Sequence, residues 1–168
     1  MWNVLRAVAL TVCLIARPAG ALDVGQMAPD FKSTTFAGQA VDLASHQGKV
    51  VYLDFWASWC APCRKTLPWM NELPGKYAGQ GLAVLAVNED SKPVLAEAMM
   101  QEQRAGFTTV ADEGGRIASA YALPTMPSSF LIDRQGRVRA VFRGFREGDH
   151  LEIESQINKL LSDEEGVK

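Results

Sequence analysis

Two cysteines separated by two residues, Cys60 and Cys63, are the side chains here best suited to chemistry. At this spacing they lie one helical turn apart and can close a disulfide and reopen it. They follow Val50-Val51-Tyr52-Leu53-Asp54-Phe55-Trp56, an apolar, β-branched and aromatic run that suits a buried central strand. Behind them Arg64-Lys65-Thr66-Leu67 opens a helical pattern, so Cys60 sits at or beside a helix N-terminus. Unpaired N–H groups at such an end favour a thiolate over a thiol, and Arg64 and Lys65 add positive charge. Cys60, in the loop, is then the exposed nucleophile; Cys63, one turn inside the helix, is its second thiol. Asp54 is the other chemical residue. An acid inside an apolar strand is costly when charged, so its pKa should rise, and a carboxyl poised near neutrality could take the proton that Cys63 must lose.

Two structural readings compete. As a staple the pair closes a loop too short to remove much entropy from the unfolded chain. As half a zinc site it needs about four ligands, with only His46 and His150 left to join it.

The run from Asp54 to Cys63 resembles the active-site strand and motif of thioredoxins. Pro68 matches the proline that kinks the active-site helix of that fold, and Met126-Pro127 resembles the cis-proline dipeptide that faces the cysteines. Gly136, in Asp133-Arg134-Gln135-Gly136-Arg137, matches the hairpin turn that follows. Ala28-Pro29-Asp30-Phe31 is similar to the start of the extracytoplasmic TlpA/ResA-type branch, and also of peroxiredoxins. The resemblance spans residues 24–162. It implies an α/β thioredoxin fold, with a central mixed β-sheet covered by helices on both faces and an added N-terminal β-hairpin. It implies an enzyme, a protein thiol–disulfide oxidoreductase working through a Cys60–Cys63 redox disulfide with neither metal nor cofactor. Asp54 matches the thioredoxin aspartate that assists the second cysteine. Met126 and Pro127 would bind an extended substrate segment, with Trp59 on the rim, Trp56 in the core and Pro62 stiffening the loop. Ala61-Pro62 is close to the Gly-Pro of reducing thioredoxins and lacks the histidine of strong oxidants.

Two positions depart from the pattern. Ala86 stands where the family often places a lysine near the aspartate. Ser128-Ser129 follow Pro127 where the cytochrome-maturation subgroup usually shows a glutamate. The partners implied are a disulfide-containing protein substrate, such as an apocytochrome c or a copper-site protein, and a membrane thiol-electron donor. A thiol peroxidase is one alternative, although Ala57-Ser58-Trp59 replace the Pro and Thr expected before a peroxidatic cysteine. A copper-binding assembly protein using the same cysteines is the other.

The elements that must hold the site follow from patterning. Phe31–Phe36 and Ala40–Leu43 read as a hairpin around Gly38-Gln39. A helix is expected from about Cys60 to Tyr77, with Leu67, Met70, Leu73 and Tyr77 on its buried face and a bend at Pro68. Leu82–Val87 is a buried strand; Ser91 should cap the helix that runs to about Arg104; Phe107–Val110 is a short strand. A short helix over Arg116–Tyr121 leads to the proline loop. Ser128–Ile132 and Val138–Phe142 pair around the Asp133–Arg137 turn. Asp149 should cap a last helix to about Leu161, with Leu151, Ile153, Ile157, Leu160 and Leu161 on its core side. Residues 162–168 form a polar tail. The alternation implies right-handed crossovers.

The 168 residues fit one domain, residues 22–168, behind a leader at 1–21. Arg6, the apolar run Ala7–Ala16 and the small residues Ala19-Gly20-Ala21 have the order of a signal peptide. The run is short for a membrane span, which needs about 20 residues, so a periplasmic protein is expected, with a membrane-anchored form as the alternative. Cleavage would leave Cys60 and Cys63 as the only cysteines. It removes Arg6 and Arg17 but no acid, taking the net charge from −2, with 17 basic and 19 acidic residues, to −4. That charge excludes a basic field for nucleic acid; a monomer is expected.

Overall fold

The computed structural model describes residues 22–163. The leader expected at 1–21 and the tail residues 164–168 lie outside them. The chain runs β1 (Lys32–Thr34), β2 (Ala40–Asp42), β3 (Val50–Trp56), α1 (Ala61–Met70), α2 (Leu73–Tyr77), β4 (Leu82–Asn88), α3 (Pro93–Gln103), β5 (Thr108–Ala111), α4 (Arg116–Ala120), β6 (Ser128–Ile132), β7 (Val138–Arg143) and α5 (Asp149–Ser162). β1 and β2 form the antiparallel hairpin, and the other five strands make one mixed sheet in the order β5-β4-β3-β6-β7.

β3 is central because it is apolar on both faces: all seven of its residues are buried. It pairs parallel to β4 and antiparallel to β6. Tyr52 and Trp56 join a core with α1, α2, α3 and α5, including Leu67, Met70, Met100 and Ile157. Val51, Leu53 and Phe55 face the opposite core, closed by Ile117, Tyr121 and the N-terminal residues Leu22, Phe31 and Leu43. The N-terminal segment also covers both outer strands. Gly25 N donates to Val138 O at 2.7 Å and Val138 N to Gln26 O at 2.9 Å, while Thr35 bridges to Val110. Backbone groups at the sheet edges thereby gain partners.

Local details depart from the sequence expectation. The helix expected over Cys60–Tyr77 is two, α1 and α2. Pro74 lies in the first turn of α2, where its missing N–H costs nothing, and Glu72 N closes the end of α1 onto Trp69 O. Lys92, not Ser91, occupies the cap of α3; it is extended and makes no side-chain cap bond, since Pro93 itself starts the helix. Gly148, with φ 95°, precedes α5, and Asp149 in the first turn accepts from Arg146 N at 2.6 Å. Leu151 is 68% exposed. Two positions before Ile153, it lies about 200° round the helix from the buried stripe.

Helix α5 is tied to α1 and α2 by one carboxylate. Glu154 accepts from Trp69 Nε1 at 2.7 Å and Tyr77 OH at 2.8 Å, with Lys76 Nζ at 3.4 Å. Glu154→Ala strands two donors that are partly buried, so unfolding in urea should lose about 2 kcal/mol. An unchanged midpoint would show that water replaces the carboxylate freely.

Candidate active site

The cysteines sit where β3 gives way to α1. A tight turn leads there, with Cys60 N donating to Ala57 O at 3.1 Å. Cys60 is the N-cap of α1: its backbone is extended (φ −83°, ψ 100°) and its Sγ accepts the Cys63 N–H at 3.3 Å. Pro62 occupies the first turn, where a missing N–H is harmless. Further along, Thr66 Oγ1 donates to Cys63 O at 2.7 Å, and Pro68 lies inside the helix, where it has no N–H to give to the turn before it. Cys60 and Cys63 are disulfide-bonded, with Cα atoms 5.3 Å apart. The expected exposed nucleophile is less open than its loop suggested. Cys60 is only 5% exposed because its sulfur turns back onto Cys63, which is fully buried. The neighbouring Trp59, at 65% exposure, forms the rim, whereas Trp56 is completely buried in the core.

Asp54 shares its face of β3 with Tyr52 and Trp56, the face that α1 covers. It pairs with Ala86 on β4 and Ser129 on β6, so alanine does stand beside the carboxyl. The Tyr52 hydroxyl approaches Oδ1 at 3.5 Å, and Oδ2 is buried without a partner. Burial pushes the Asp54 carboxyl well above the usual carboxylate range, opposed in part by the Tyr52 contact. Tyr52 is likewise raised, by burial first and then by the Asp54 charge. Its ring packs edge-on against Trp69 with centroids 5.7 Å apart.

The Met126–Pro127 bond is cis. Phe55 pairs with Ser128, so continuing the register sets Pro127 opposite Trp56, at the cysteine end of the sheet. Pro127 O accepts from Gly144 N at 2.8 Å, and Met126 packs against the core that contains both cysteines. The structure therefore gathers Cys60, Cys63, Pro62, Trp59, Met126 and Pro127 at one end of the sheet, with Asp54 beneath. The histidines lie apart. His46 Nδ1 is 3.0 Å from Asp42 O, and the His150 ring lies 6.4 Å from that of Trp69. Among the described residues no three His, Cys, Asp or Glu side chains could together hold a metal ion.

Sequence reasoning passed over Asp90. Its carboxylate accepts from Ser58 N at 2.8 Å, Ser58 Oγ at 2.7 Å and Asn88 Nδ2 at 2.8 Å, fixing the loop two residues before Cys60. Glu89 N adds a bond to Trp56 O at 2.9 Å. The usable signal is that Asn88, Glu89 and Asp90 are three polar residues straight after the apolar run Leu82–Val87.

Residues 24–141 match the model of the AhpC/TSA family. The thiol-disulfide oxidoreductase ResA of Bacillus thuringiensis subsp. konkukian is 34% identical over 131 residues, covering 78% of this chain and 76% of that protein. ResA of Geobacillus kaustophilus is 36% identical over 132 residues, with coverages of 79% and 76%. A crystal structure of a putative thiol:disulfide interchange protein DsbE from Chlorobium tepidum superposes with a TM-score of 0.81 at 44% identity, over 84% of this chain and 100% of that one. With the mixed sheet, the cysteine pair capping α1 and the cis-proline loop already in place, these likenesses show that the chain belongs to the AhpC/TSA family of thioredoxin-fold proteins, among its ResA-type thiol–disulfide oxidoreductases.

Proposed function

We propose that the chain reduces disulfides in extracytoplasmic proteins. The observation that carries this reading is the Cys60–Cys63 disulfide at the N-cap of α1, with Cys60 at the mouth of the helix beside the exposed Trp59 and Cys63 fully buried. In the reduced protein the Cys60 thiolate attacks one sulfur of the substrate disulfide. A Cys60–substrate bond forms and the first substrate thiolate leaves. Cys63 gives its proton to Asp54 and attacks Cys60 Sγ. The mixed disulfide breaks, the second substrate thiolate leaves, and Cys60–Cys63 is oxidised. Two electrons have passed to the substrate, so a dithiol donor must return them, and at a membrane surface that donor is a membrane thiol protein.

Trp59 offers apolar surface beside Cys60, and the Met126 backbone next to Pro127 is the edge on which an extended substrate segment would pair. Export rests on residues 1–21, whose charged start, apolar run and small-residue end have the order of a cleaved leader. With Ser128-Ser129 in place of a glutamate, the substrate class is protein disulfides broadly, apocytochrome c and copper-site proteins among them.

A redox titration of the couple, paired with dithiothreitol-driven insulin reduction, tests the direction. A potential near the thioredoxin value of about −270 mV, with insulin reduced, is expected. A potential near about −120 mV, the range of strong oxidants, overturns the reductase reading. Consumption of hydrogen peroxide in place of insulin would favour the peroxidase.

A further inference from the structure

Strands β4 and β5 end side by side next to the redox loop. Asn88 pairs with Ala111, and Asp112 N donates to Asn88 O at 3.0 Å, so Glu89 and Asp112 are neighbours just past the strand ends. Both enter a cleft of about 540 Å³ whose other charged residues are Asp90 and Glu113; among the described residues no lysine, arginine or histidine lines it. Asp112 is 8% exposed, and its Oδ2 is occupied by the Ala118 N–H at 2.8 Å. Its Oδ1 and Glu89 Oε1 are buried with no donor. Carboxylates only accept, so two of them facing each other without a cation leave both oxygens unsatisfied. One proton between them satisfies both.

Glu89 is also fastened to the redox loop. Its N–H donates to Trp56 O at 2.9 Å, and the next residue, Asp90, holds Ser58. We propose that Glu89 and Asp112 share one proton and thereby act as a positioning pair for the Trp56–Cys60 loop. Burial first, and then the Asp112 charge, pushes the Glu89 carboxyl up to about 8. The proton is therefore kept at neutral pH and lost in mildly alkaline solution. Since the folded pKa is raised, the stability this pair contributes is full below the ordinary glutamate range and is lost as pH rises through about 8. Above that, two negative charges oppose each other behind Asn88–Asp90 and the loop loses its fixed seat.

The test uses the oxidised full chain, in which Cys60 and Cys63 do not titrate, followed by NMR from pH 5 to 10. The Glu89 side-chain carboxyl carbon and the Glu89 and Ser58 amides should inflect together at the alkaline midpoint. Glu89→Gln, which mimics the protonated acid, should abolish the Ser58 inflection and keep that amide at its acid-side position. Asp112→Asn should lower the Glu89 midpoint by about one pH unit. A Glu89 midpoint in the ordinary glutamate range, or a Ser58 amide that ignores it, overturns the proposal. Recovery of the acid-side spectrum above pH 9 on adding millimolar calcium also overturns it, since the pair would then be a cation site. Disulfide reduction is not read in this experiment, so its outcome is separate from that of the proposed function.

Discussion

Replacing Cys63 by serine is expected to stop the reaction halfway. Cys60 keeps its place at the cap of α1, so it can still attack a substrate disulfide. The mixed disulfide then has no internal thiol to resolve it. Turnover of insulin should fall by about a thousandfold or more, while a one-to-one covalent adduct accumulates and is released by dithiothreitol. Cys60→Ser should lose turnover to the same extent and form no adduct, because Cys63 is fully buried. Mass spectrometry of the two variants after mixing with an oxidised protein reads the difference directly. An adduct on Cys63 in the Cys60→Ser protein, or near-native turnover by Cys63→Ser, would reverse the assigned roles.

The second large effect is at Asp54. Its carboxyl is buried, has one long contact to Tyr52 and one oxygen without a partner, and is held well above the usual range by burial. A raised folded pKa means that the folded protein binds a proton the unfolded chain has released. Stability from this group is therefore full below the ordinary aspartate range and is lost as pH climbs toward the raised folded value. Asp54→Asn keeps the shape and removes the titration. It should match the wild type in acid and exceed it at pH 8 by on the order of 2 kcal/mol, since a poorly satisfied buried acid is costly. The same change should slow resolution of the mixed disulfide at pH 7 by about a hundredfold, the contribution of a positioned proton acceptor. Chemical denaturation across pH, with single-turnover kinetics, separates the two effects. Parallel stability curves for both proteins would mean that Asp54 titrates normally and carries no catalytic proton.

The sequence alone determined the features whose causes are local or periodic. A run of apolar residues on both faces of β3 must be covered on both sides, which made it central. A cysteine pair ahead of a helical pattern must meet a helix N-terminus, and Cys60 does cap α1. A lone acid in that strand had to be desolvated, as Asp54 is. Tertiary structure decided what depends on which strand lies beside which. Glu89 and Asp112 are 23 positions apart in the chain and meet only because β5 follows β4 in the sheet. Asp90 reaches Ser58 only because β4 runs parallel to β3 and ends at the same level. Trp69 and Tyr77 find Glu154 only once α5 packs back across the sheet. In each of these cases the partners lie far apart in the chain, beyond the reach of any local pattern or period.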